Sequence, residues 1–169
     1  GRIVTLRNIT ATGAATPTFE TFETWSTNGT GPYRMLIADM DRDGAIDVVV
    51  VNFSSGTTSV FRNTSTPGDI SFATPVNLPS PTSNYRLGIG DVDGDGRPDI
   101  VTKSSGQNVF SVYENQSNPG SISFAPRIDY TSSAQAEVSG IVIGDLDGDF
   151  VPDIATSGIS SDVVRFHRN

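Results

Sequence analysis

The chain repeats itself, and the period decides most of what it can become. Residues 37–51 read IADMDRDGAIDVVVV, 89–103 read IGDVDGDGRPDIVTK and 143–157 read IGDLDGDFVPDIATS, so the leading aspartates Asp39, Asp91 and Asp145 stand 52 and 54 residues apart. Two further sets of landmarks keep the same beat: TLRN, VFRN, VYEN and FHRN end at Asn8, Asn63, Asn115 and Asn169, and Phe19, Phe72 and Phe124 open TFETFETW, SFATPVNL and SFAPRIDY. A shared period of this length is the signature of a repeat architecture, in which each unit buries its apolar faces only against its neighbours.

Within one period the apolar segments are short and β-branched: YRMLIAD, DVVVVNF, TSVFRN and SFATPVNL, separated by Gly, Asn, Ser, Thr and Pro clusters. Four strands per unit of about 50 residues is what a β-propeller blade requires, with a solenoid of sheets as the alternative. An ordinary β-sandwich would leave three coincident sets of landmarks unexplained. The fold class is therefore all-β, with no helix longer than a turn. The predicted units are 33–84 and 85–137 as whole blades, 1–32 as strands three and four of a partial blade, and 138–169 as a partial blade lacking its fourth strand. Half-blades at both ends predict exposed sheet edges, covered by further repeats of a longer chain or by self-association into a ring or fibre.

Composition narrows the function classes. With 36% hydrophobic and 18% charged residues the 169-residue chain is too apolar to be disordered, and no apolar run approaches the roughly 18 residues of a membrane span. A net charge of −8 has the wrong sign for a partner rich in phosphate. The absence of cysteine excludes disulfides, thiolate metal sites and a cysteine nucleophile.

The acids are not scattered. Twelve of the 19 lie in three copies of D-x-D-x-D-x-x-x-D: Asp39, Asp41, Asp43 and Asp47; Asp91, Asp93, Asp95 and Asp99; Asp145, Asp147, Asp149 and Asp153. Four carboxylates within nine residues repel one another strongly if left unpaired, so the arrangement makes physical sense only around a cation. Hard oxygen donors select calcium, about three ions in all, with side chains at positions 1, 3, 5 and 9 and the backbone carbonyls of Ala45, Arg97 and Val151 at position 7. Zinc would demand His or Cys, and magnesium a stricter octahedron. An EF-hand would need Glu at position 12, where Val50, Thr102 and Thr156 stand, and flanking helices where the sequence is strand-like. Gly44 and Gly96 occupy position 6, which favours positive φ, but the third copy has Phe150 and is expected to be the most strained. The competing reading is a set of solvated acidic turns without metal.

These loops, followed by SVYEN or VVRFHRN and then by PGDISFA or PGSISFA, resemble FG-GAP/VCBS-type repeats of calcium-binding β-propellers, as found in integrin α heads and many secreted bacterial proteins. The resemblance covers nearly the whole chain, lacks the Phe-Gly and Gly-Ala-Pro tripeptides of the integrin version, and is closer to the bacterial surface-protein variety. It implies that the twelve aspartates and the three position-7 carbonyls are calcium ligands, and it implies no catalytic residue. The expected function is a non-enzymatic extracellular or cell-surface module for adhesion or structural assembly. The alternative is a glycan-binding lectin using aromatic residues between blades. Trp25, Leu78 and Tyr130 each fall six residues after the shared Phe, which favours packing between blades over ligand binding. The lone His167 is expected to be a strand residue. Five Asn-x-Ser/Thr sequons, at Asn8, Asn28, Asn52, Asn63 and Asn115, permit glycosylation without establishing it.

Overall fold

A computed structural model describes residues 1–80, 84–104, 109–131, 138–158 and 164–168. Among them every regular element is a strand, and every strand pairing is antiparallel. β1 (Arg2–Asn8) and β2 (Phe19–Ser26) form a two-stranded sheet. β3 (Pro32–Ala38), β4 (Asp47–Asn52), β5 (Thr57–Phe61) and β6 (Val76–Pro79) form a four-stranded meander. A second meander contains β7 (Asn84–Gly90), β8 (Asp99–Ser104), β9 (Val109–Tyr113) and β10 (Ile128–Thr131). The last sheet is β11 (Val138–Gly144), β12 (Asp153–Gly158) and β13 (Val164–His167).

The sheets stack face to face in chain order, with β7 lying beside both β3 and β11. This explains the unbroken apolar run of β4, since a strand covered on both faces has no reason to alternate. Val49 and Val51 join Val60, Leu78, Leu87, Ile100 and Tyr113 in a buried core between the two meanders. Val48 and Val50 turn the other way, toward Ile3 of β1. The next interface repeats the scheme with Val101, Phe110 and Val112 against Ile141 and Ile154. Polar ties cross the same gaps: the Tyr113 hydroxyl donates to the Pro79 carbonyl at 2.9 Å, and Ser59 donates to the Thr27 carbonyl at 2.6 Å.

Close approach at the inner edge depends on glycine. A Cβ at Gly90 would stand 2.6 Å from Ile143 Cγ2 and 3.0 Å from Ile143 Cβ, and one at Gly88 would stand 2.7 Å from Ile141 Cγ2. Gly90→Val is therefore expected to destabilise the chain by about 1–3 kcal/mol through overpacking. Urea unfolding checks this, and an unchanged midpoint would mean that the sheets separate at no cost.

The fourth strands depart from the sequence expectation. TFETFETW forms β2 along its full length from Phe19, whereas SFATPVNL is a strand only over Val76–Pro79 and SFAPRIDY only over Ile128–Thr131. Pro75 and Pro126 precede these short strands, and a proline offers no N–H to the ladder. Upstream of each, Phe72 and Phe124 keep only single bridges, to Asn63 and Asn115. Phe72 is held instead by ring packing, edge-on to Trp25 at 5.2 Å and 6.0 Å from Phe61. Trp25 thus lies in packing between sheets, as Leu78 does in the core. Tyr130 stacks on Phe110 at 5.3 Å. His167 lies in β13 with its ring 4.9 Å from Phe110, and burial lowers its pKa.

Candidate metal centres

Each aspartate motif is the connection between the first two strands of a three- or four-stranded sheet: β3–β4, β7–β8 and β11–β12. The turn is tight because its carboxylates capture its own amides. Asp91 Oδ1 accepts from Gly94 N at 2.8 Å and Asp95 N at 3.1 Å, and Asp91 Oδ2 accepts from Gly96 N at 2.7 Å. Asp39 and Asp145 do the same toward Gly44 N and Phe150 N. The aspartate at position 3 (Asp41, Asp93 or Asp147) accepts from the amide of position 5, and the aspartate at position 5 accepts from that of position 7: Ala45 N, Arg97 N and Val151 N donate to Asp43, Asp95 and Asp149 at 2.8, 2.8 and 2.9 Å.

This winding requires two left-handed residues per loop. Position 6 is left-handed at Gly44 (φ 90°), Gly96 (φ 85°) and Phe150 (φ 68°), and position 4 at Arg42 (φ 61°), Gly94 (φ 78°) and Gly148 (φ 84°). Only the second loop has glycine at both. The sequence pattern exposed the demand at position 6 but not at position 4, so strain is shared between the first loop, through Arg42, and the third. Phe150 is 92% exposed. Replacing it with glycine removes a left-handed penalty of about 1–2 kcal/mol while sacrificing little packing. Phe150→Gly is expected to stabilise the chain by about 1 kcal/mol, and a lower melting temperature would contradict this.

The carboxylates converge in three groups, each offering three oxygens within 4.8 Å of one another: Asp39, Asp41 and Asp43; Asp91, Asp93 and Asp99; Asp145, Asp147 and Asp153. Three Asp clusters could therefore hold metal ions. The remaining motif acids, Asp47, Asp95 and Asp149, stand outside their groups. Asp95 is drawn aside by Arg97, with which it pairs closely. An all-carboxylate donor set of this kind fits a hard divalent cation, and residues 39, 41, 43, 91, 93, 99, 145, 147 and 153 are those that would hold it.

Position 9 has a second role that the spacing did not reveal. Asp47 and Asp99 are buried, and each receives two backbone N–H groups. Met40 N and Asn63 N donate to Asp47 at 2.8 and 2.7 Å, while Val92 N and Asn115 N donate to Asp99 at 2.8 Å each. The recurring asparagine completes the knot. Asn63 donates its side-chain amide to Ile46 O at 2.9 Å, and Asn115 donates to Pro98 O and, across the sheet gap, to Met40 O, both at 2.8 Å. The periodic Asn was visible in the sequence; its partner was not. Asn52 and Asn115 are fully buried, which removes two of the five sequons as glycan acceptors in the folded chain. The first loop is also tied to its neighbour, since Gly120 N donates to Asp41 Oδ2 at 2.9 Å.

The FG-GAP-like repeat model matches residues 39–102, and the FG-GAP repeat model matches 83–123. These are FG-GAP-type repeats. The matched segments contain the first two aspartate loops and the asparagine knots beneath them. No curated protein matches the chain. The antiparallel sheets of three and four strands have the form of FG-GAP propeller blades.

Burial shifts the acids in the FG-GAP loops. Desolvation pushes Asp99 up to about 6 and raises Asp47 in the same direction, in both cases overcoming the two amide hydrogen bonds that favour the anion. A raised folded-state pKa means that the contribution to stability is complete below the unfolded value near 3.8 and is lost as pH rises through about 6. Metal-stripped protein is thus expected to be more stable at pH 5 than at pH 7.5, by about 1–2 kcal/mol. Thermal melts at the two pH values check the sign; a lower melting temperature at pH 5 would refute it.

Proposed function

We propose that the chain is a non-enzymatic, calcium-binding β-propeller module of the extracellular or cell-surface type, used for adhesion or structural assembly. The observation that carries this reading is the convergence of three carboxylate oxygens within 4.8 Å in every aspartate loop, on repeats of a family found in adhesion-type propellers. A purely solvated acidic turn gains nothing from bringing like charges together, and a divalent cation turns that repulsion into attachment. Asp47, Asp95 and Asp149, with the carbonyls of Ala45, Arg97 and Val151, complete the proposed ligand sets. Three ions would bring the net charge from −8 to about −2. Bound at the strand-to-strand turns, they would stiffen the loops on one side of each sheet. Calorimetric titration tests this: binding of about three calcium ions, with dissociation constants on the order of 0.1–1 mM, is expected. Absence of heat and of any spectral change at 10 mM calcium, about ten times the weaker value, would reject it.

The row of sheets bears apolar surface at both ends. Met35 and Ile37 are exposed beside β1, as are Val142 and Phe166 on the last sheet. Further repeats, or a second copy arranged in a ring or a fibre, would cover these faces and complete the propeller. Light scattering with and without calcium tests the self-associating form, and a stable monomer at micromolar concentration would exclude it. The lectin alternative draws little support, because Trp25 is engaged with Phe72.

A further inference from the structure

The residue just before the periodic asparagine differs in sign between repeats: Arg62, Glu114 and Arg168. It sits where β5, β9 and β13 end, directly beneath the aspartate loops. In the third repeat the guanidinium is already seated on the cluster. Arg168 Nε lies 2.6 Å from Asp147 Oδ2, and Nη2 donates to Asp149 Oδ2 at 3.3 Å. In the first repeat Arg62 reaches Asp43 more loosely, at 3.7 Å. In the second the position carries the opposite charge, Glu114.

We propose that an arginine at this position weakens its loop's hold on a divalent cation: Arg168 acts as a built-in competitor that must release Asp147 before the third loop can fill, and Arg62 opposes the first loop more weakly, whereas the second loop has Glu114 there in place of an arginine. The proposal rests on the calcium reading above. Asp147 belongs to the group that converges in the third loop, so a guanidinium bound there both neutralises a ligand and repels an incoming ion. Arg97 plays a smaller part in the second loop, because its partner Asp95 only completes the ligand set and the three converging carboxylates are left unpaired by it. Arg168 is largely exposed, so solvent and salt moderate the effect.

Each loop has its own reporter: the amides of Gly44, Gly96 and Phe150, which donate to Asp39, Asp91 and Asp145, shift with occupancy in a calcium titration followed by amide NMR. Arg168→Gln is expected to tighten the third loop about threefold to tenfold and to leave the other two within twofold, whereas Arg168→Lys stays close to the wild type. Glu114→Arg is expected to weaken the second loop about tenfold, and both effects should shrink in 0.5 M salt, where the Debye length falls to roughly 4 Å. Calcium binding by the wild type with an unchanged third-loop affinity in Arg168→Gln, or equal tightening by Gln and Lys, would overturn the competitor. Absence of calcium shifts at all three loops of the wild type would overturn the calcium reading instead.

Discussion

Removing calcium is expected to lower the melting temperature by about 15–30 °C. An ion that binds only the folded chain at 100 times its dissociation constant contributes roughly 2.7 kcal/mol, so three sites reach about 8 kcal/mol. That is comparable with the total stability of an ordinary domain. For a chain of this size each kcal/mol moves the midpoint by about 2–4 °C. Calcium at about 10 mM, against dissociation constants near 0.1 mM, meets the condition. Each converging group supplies three carboxylates and, in the metal-free state, retains their mutual repulsion. Scanning calorimetry with calcium, and again after chelation at constant ionic strength, gives the answer. A midpoint that does not move would show that the loops hold no ion or that the unfolded chain binds it equally well.

Replacing Asp47 or Asp99 with alanine is expected to cost about 2–5 kcal/mol, and to cost it with or without calcium. Each carboxylate accepts two backbone N–H groups in a buried site, and its loss orphans both donors at roughly 1–3 kcal/mol apiece. Relief of the desolvated charge returns part of this at neutral pH, which keeps the estimate below the full sum. Asparagine in the same place accepts through one oxygen and directs an amine at the second donor, so Asp99→Asn should fall between alanine and the wild type. Asp39→Ala differs in kind, because its carboxylate bonds the exposed amides of its own turn, and its larger loss should appear only when calcium is present. Urea unfolding of the variants in chelator separates the two roles. A loss below about 1 kcal/mol for Asp47→Ala in chelator would reduce position 9 to a metal ligand.

Periodicity alone was enough to establish an all-β repeat protein, the aspartate loops between successive strands, and their hard-oxygen character. These are local properties: a strand-to-strand turn of nine residues carries its donors, its glycines and its flanking β-branched segments in one continuous stretch. Local reading also anticipated that Trp25 and Leu78 serve packing, since equivalent places in a repeat meet equivalent neighbours. It could not assign the asparagines, because Asn115 acts on Met40 from 75 residues away, across the gap between two sheets. Nor could it tell which acids converge. Spacing treats Asp47, Asp99 and Asp153 alike, yet Asp99 and Asp153 join their groups while Asp47 stays apart. Tertiary structure also places a strand end beneath each loop. Arg62 and Arg168, at the ends of β5 and β13, then meet Asp43, Asp147 and Asp149 of the loop one strand earlier, and the pairing of the strands, rather than the motif, determines the charge that these loops present.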